Sequence, residues 1–69
     1  MNERLNVVVL LLVGDQAEIV ADAPDAETPE RYPATEIAEA VGLPARALPG
    51  CRLTAEVGAG HRLTGWQLR

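Results

Sequence analysis

The chain has no lysine, no serine and no phenylalanine, a single cysteine, a single histidine, and only two aromatic residues, Tyr32 and Trp66. Each shortage closes a class of chemistry. Without serine there is no Ser–His–Asp triad. Cys51 alone can form no intrachain disulfide, which suits a reducing compartment. Cys51 and His61 also make too small a set for a zinc site. As a nucleophile and its base they would need to meet from opposite ends of paired strands. Thr35 and Thr64 have no base beside them. The acidic stretch 22–30 lacks the glycine and ligand rhythm of a calcium loop. Gly58-Ala59-Gly60 precedes a strand pattern rather than a helix, so it reads as a turn and not a phosphate cradle. No enzyme, cofactor, metal or small-molecule substrate is expected.

Basic charge is also scarce. Six arginines against ten carboxylates give a net charge of −4 and an isoelectric point near 4.7, which argues against a protein that coats duplex nucleic acid. The longest apolar stretch runs from Leu5 to Val13 with Asn6 interrupting it, whereas a membrane-spanning helix needs about 20 apolar residues. Arg4, this stretch and Ala21-Asp22-Ala23 imitate a signal peptide in outline. Glu3, Glu18, Asp22 and Pro24 oppose that reading, and a cytoplasmic protein is expected.

What is present describes a globule. Alanine, leucine and valine supply 27 of the 33 apolar residues, and 48% apolar with 23% charged content lies well outside the disordered class. At 69 residues there is room for one domain, 1–69. All-arginine basic content with abundant alanine points to a GC-rich, bacterial coding sequence.

Residues 5–13 are valine-rich and short, a buried strand. Gly14-Asp15 suits a two-residue hairpin turn, and Gln16 to Ala23 alternates polar with apolar as a half-exposed strand does. Residues 24–33, with three prolines and four charges, read as a surface loop. The period then changes. Ala34, Ile37, Ala38 and Val41 share one face of a short helix over Ala34–Val41, with Glu36 and Glu39 outside. Pro33 opens it and Gly42 ends it in the left-handed conformation. Pro44 starts one further turn through Leu48. Cys51–Val57 and His61–Leu68 alternate again as a second hairpin. The expected fold is α+β, β-β-α-β-β: a small four-stranded, mainly antiparallel sheet with one short helix on one face.

The Gly14-Asp15 turn pairs Val13 with Gln16, Leu12 with Ala17, Leu10 with Ile19 and Val8 with Ala21. The helix then rests on Leu12, Leu10, Val8, Ala17, Ile19 and Ala21, and a second face lined by Val7, Val9, Leu11 and Val13 is left free. Four wet Val/Leu side chains would forgo about 1.5–3 kcal/mol each. A chain of this length has a total stability of roughly 3–10 kcal/mol, so a cover is expected over that face: a second copy, another protein or the chain's own loop. The second hairpin has two registers. A three-residue loop pairs Glu56 with Arg62, Thr54 with Thr64 and Arg52 with Trp66 on an exposed face. A two-residue Ala59-Gly60 turn places Trp66 opposite Leu53, in the core.

Three functions compete. The first is a non-enzymatic protein-interaction or regulatory module, a homodimer joined through Val7, Val9, Leu11 and Val13, with Trp66 and Arg52 as a smaller contact zone. The second is a regulator touching nucleic acid through the C-terminal hairpin, where Arg52, Arg62 and Arg69 could stack single strands with Trp66. Charge favours that half: residues 1–33 carry seven acids and two arginines (−5), residues 34–69 three acids and four arginines (+1). Thr35-Glu-Ile-Ala-Glu-Ala-Val-Gly-Leu-Pro44 also resembles the first helix and turn of helix-turn-helix regulators, over about ten residues. A recognition helix should follow, yet Pro44–Gly50 leaves one turn and one arginine. The third is an acidic inhibitor or antitoxin-like protein that presents Asp22–Glu30 and Tyr32 to a basic partner.

Overall fold

A computed structural model describes residues 3–23 and 28–69. Its strands are β1 (Arg4–Val13), β2 (Gln16–Ala21), β3 (Glu30–Pro33), β4 (Arg52–Val57) and β5 (Leu63–Leu68), with helix α1 (Ala34–Val41) between β3 and β4. Two short 3₁₀ turns, Ala45–Ala47 and Ala59–His61, precede β4 and β5. The strand order is β3-β2-β1-β4-β5, and every neighbouring pair is antiparallel. Three strands follow one another by sequence and the fourth returns beside the first, which is Greek-key connectivity.

The α+β class and the single helix are as expected, but the sheet has five strands instead of four. The added one is β3, inside the segment read as loop. Pro29, Pro33 and the charges there imitate a loop, yet an edge strand needs hydrogen bonds on one side only and accepts proline at its end. Arg31 sits directly opposite Glu18, with its Nε 3.3 Å from the carboxylate.

Helix α1 spans the expected residues. Ala34, Ile37 and Ala38 are buried, and Gly42 caps the C-terminus at φ 74°, its N–H donating to the Ala38 carbonyl. Pro44 opens the 3₁₀ turn that delivers Leu48 into the core.

Two β-bulges decide which residues face inward. In the first hairpin the expected register holds next to the turn, where Val13 pairs with Gln16 and Leu12 with Ala17. It then slips: Leu11 opposes Glu18, but Val9 opposes Ile19 and Val7 opposes Ala21. Leu10 is the extra residue. A one-residue slip exchanges the faces of everything beyond it, so Val7 and Val9 are fully buried and Leu10 is exposed. The free face expected of Val7, Val9, Leu11 and Val13 is therefore not a single face. In the second hairpin neither expected register forms. Val57 pairs with Leu63 and Glu56 with Thr64 across a five-residue connection, Gly58–Arg62, and beyond a second bulge Thr54 pairs with Gln67 and Leu53 with Leu68. Gly65 occupies that bulge at φ 60°. The extra residue turns Trp66 inward, where it is 3% exposed.

The inward side chains, among them Val7, Val9, Ile19, Tyr32, Ile37, Leu48, Leu53 and Trp66, form one core inside the curled sheet, with α1 packed on β5, β3 and β2.

Gly65→Ala must hold a β-carbon in the left-handed region, at a position where it would lie 3.5 Å from the Glu56 Cβ. It is expected to cost about 1–2 kcal/mol, read as a lower urea midpoint with an unchanged slope.

Candidate functional site

The outer surface of β1 groups three of the exposed large apolar residues, the others among the described residues being Leu5 and Leu68. Leu10, Leu11 and Val13 are 44%, 45% and 36% exposed. Val8 and its cross-strand partner Val20 lie half-buried beside them. The bulge leaves both Leu10 and its neighbour Leu11 exposed. Pairing to β4 ends close by: Val9 N–H donates to the Cys51 carbonyl at 3.0 Å and Gly50 N–H to the Val9 carbonyl at 2.7 Å. From Leu10 to Val13, β1 has β2 on one side and, among the described residues, no strand on the other.

Of the residues expected to make contacts, the structure therefore leaves Leu11 and Val13 at the surface and takes Val7 and Val9 into the core. Leu10 and Val8 join the surface strip in their place. Every residue from Val7 to Val13 is aliphatic, so no contrast of polarity along β1 could have signalled the slip.

Trp66 belongs to the core as well, so the contact zone of Trp66 with Arg52 does not assemble. Its ring meets Tyr32 edge-to-face, with centroids 5.1 Å apart. Its Nε1 is the buried side-chain nitrogen or oxygen without a hydrogen-bond partner among the described residues. The guanidinium of Arg62 lies 4.8 Å from the Tyr32 ring centroid. Arg52 is exposed on the outer side of β4, opposite Val8. Arg69 donates to Asp22 at 2.8 Å and to the Val7 carbonyl at 3.1 Å, tying the C-terminal residue across to the end of β2.

Tyr32 is the polar node. Its side chain is 1% exposed, its hydroxyl donates to Glu30 Oε2 at 2.9 Å, and the same oxygen accepts the Leu63 N–H at 3.2 Å. The bond from Leu63 connects edge strand β5 to edge strand β3, and the bond to Glu30 lies within β3. Burial raises the phenol above its ordinary 10.0 and the Glu30 carboxylate raises it further, against the opposing pull of the Leu63 N–H and the Arg62 charge.

Among the described residues no group of His, Cys, Asp and Glu is arranged to hold a metal, and no helix is long and apolar enough to cross a membrane. Cys51 is half-buried, its thiol donating to the Ala47 carbonyl at 3.1 Å. The helix resembling the start of a helix-turn-helix is followed by a single 3₁₀ turn, not a second helix. Of the acidic stretch 22–30, residues 24–27 lie outside the described residues. Asp22 pairs with Arg69 and Glu30 with Tyr32.

Comparison with protein-family models, with curated proteins and with solved structures found no match to this chain.

The Tyr32 node makes two predictions. Tyr32→Phe leaves the Leu63 N–H unpaired and should cost about 1–3 kcal/mol in denaturant unfolding. The chain has one tyrosine, so its tyrosinate absorbance should rise at a pH above that of a free tyrosine. A raised folded-state value means that the associated stability is complete below pH 10.0, the unfolded reference, and is lost as pH climbs through the folded one. Thermal midpoints should fall over that range in wild type and less in Tyr32→Phe.

Proposed function

We propose that this chain is a non-enzymatic, cytoplasmic protein-interaction module that pairs with a second copy of itself along the open edge of β1. The observation that carries this reading is the run Leu10–Val13, where exposed Leu and Val side chains coincide with a strand segment that, among the described residues, pairs with β2 on one side and with no strand on the other. Exposed strand edges template pairing, and folds that avoid it blunt them with lysine, proline or inward charge. Leu10–Val13 has no lysine, proline or charge, and the bulge at Leu10 is the one such device it carries. A two-fold axis through it would set the same patch of two copies face to face. Burying what remains exposed of the three side chains contributes about 2–4 kcal/mol per copy, to which main-chain bonds along the edge add. Set against the cost of association, this supports a weak dimer that forms at high micromolar concentrations or above.

A second reading rests on connectivity. Five-stranded, partly open Greek-key barrels include folds that hold oligonucleotides or oligosaccharides on the face of strands 2 and 3 and the adjoining loops. Here that face presents Gln16, Glu18, Val20, Arg31 and Pro33, and both aromatics are buried. Stacking on aromatics and a basic groove are what single-strand binding uses, so the exposed charge of Arg52 and Arg62 supports this function less than the β1 strip supports pairing. Retention of single-stranded DNA at low salt, reduced by Arg52→Ala and Arg62→Ala, would favour it. A basic protein bound through the acidic stretch 22–30 is the third possible partner.

Light scattering behind a sizing column tests the first reading. The 7.4 kDa chain should run at about twice that mass at high micromolar concentration, and Leu11→Arg should return it to the single-chain mass. Leu11 is exposed, so this variant keeps its fold, whereas an arginine at buried Val9 would unfold the chain and tell nothing about pairing. A wild-type chain that stays at 7.4 kDa would overturn the proposal.

A further inference from the structure

A pocket of about 370 Å³ opens into the barrel on the side of the β4–β5 connection, between the ends of β2 and β3 and the start of β1. Its accessible walls are apolar, Leu5, Ala21 and Val57, with the buried core residues Val7, Ile19 and Leu63 behind them, and it is also lined by Glu3, Glu30 and His61. Small-ligand sites combine these ingredients: an apolar hollow with a few placed polar groups, in a volume of about 300–1,000 Å³. This pocket lies near the lower bound, which fits a compact ligand.

The rim sets the ligand's chemistry. Glu30 is a positioned carboxylate: the Leu63 N–H donates to the Tyr32 hydroxyl, which in turn donates to Glu30 Oε2. That chain of bonds starts on the buried backbone and occupies one oxygen of the carboxylate. Glu3 is a second acidic residue lining the pocket, and its backbone carbonyl is held by the Val57 N–H at 2.9 Å. His61, on the same rim, has φ 63°, the one positive value outside glycine among the described residues. Such strained positions cluster at ligand sites.

We propose that this pocket binds a protonated primary aliphatic amine, with its carbon chain against Leu5, Ala21 and Val57 and its ammonium at the carboxylates of Glu30 and Glu3. The amine comes either as a free small molecule or as the lysine side chain of another protein. The site is separate from the β1 edge, so it stands or falls independently of self-association.

The test is a titration of the ¹⁵N-labelled full chain followed by amide chemical shifts. The probes are n-hexylammonium for a free amine, N-acetyl-lysine methylamide for a side chain, and 1-hexanol and hexanoate as neutral and anionic controls. Saturable shifts at Ala21, Val57 and Leu63 are expected with an amine, with 1-hexanol weaker by about tenfold and hexanoate inert. Tighter binding of the hexyl probe points to a free amine, and tighter binding of the lysine derivative to a side chain. Glu30→Gln retains an acceptor for Tyr32 and so keeps the fold, yet should weaken the amine about tenfold. Glu3→Gln should weaken it by a smaller factor without touching the Tyr32 bonds. Either of two results overturns the proposal: no saturable shifts at these amides with both amines, or equal affinity for 1-hexanol and hexylammonium with neither variant altered.

Discussion

The fold depends on how a curled sheet holds its two edges together. Strands β3 and β5 share no ladder, and Tyr32 spans them with one hydroxyl that accepts from Leu63 and donates to Glu30. Around that bond the ring packs against Trp66 at 5.1 Å and beneath the Arg62 guanidinium at 4.8 Å. An edge-to-face aromatic pair is worth about 0.5–1.5 kcal/mol beyond its buried area, and a cation over a ring about 0.5–1 kcal/mol at an exposed site. The Trp66 Nε1 has no partner, which offsets part of that gain, because an unpaired buried donor costs about 1–3 kcal/mol. A chain with only two aromatics has placed both at the closure.

The bulges follow from the same closure. A flat four-stranded sheet under one helix would leave half of β1 wet, whereas a curled sheet encloses its own interior and lets α1 cover one side of it. Curling needs local kinks, and an extra residue in one strand of an antiparallel pair supplies one. Leu10 does this in β1 and Gly65 in β5. Each kink also reassigns faces, which is how Val7, Val9 and Trp66 come to be core. Leu10, Leu11 and Val13 remain outside.

The surface proposed to act is thus what closure leaves over. Where β4 stops pairing, the second half of β1 is left with an aliphatic edge, and where β3 and β5 part, the barrel keeps an apolar mouth rimmed by carboxylates. The first feature suits a strand from another copy and the second a small cation. Tyr32 links the two halves of this account, since the hydroxyl that accepts from Leu63 across the edges also donates to the Glu30 carboxylate at the mouth.

Local signals carried well into the structure wherever the physics was local. Helix α1, from Ala34 to its Gly42 cap, and the Gly14-Asp15 turn were legible because a period of 3.6 and a positive φ are properties of a few adjacent residues. The α+β class followed from them. Strand β3 was not legible, because an edge strand of Glu, Arg, Tyr and Pro has the composition of a loop and gains its conformation only from β2 beside it. Nor were the faces of β1 and β5. Seven aliphatic residues in succession hold no record of register, and Gly65 reads equally as a weak strand residue or a bulge until the partner strand is in place. Those choices were made by closure of the sheet, where the cost of leaving Tyr32, Trp66 or Val9 in water outweighs any preference of the local sequence.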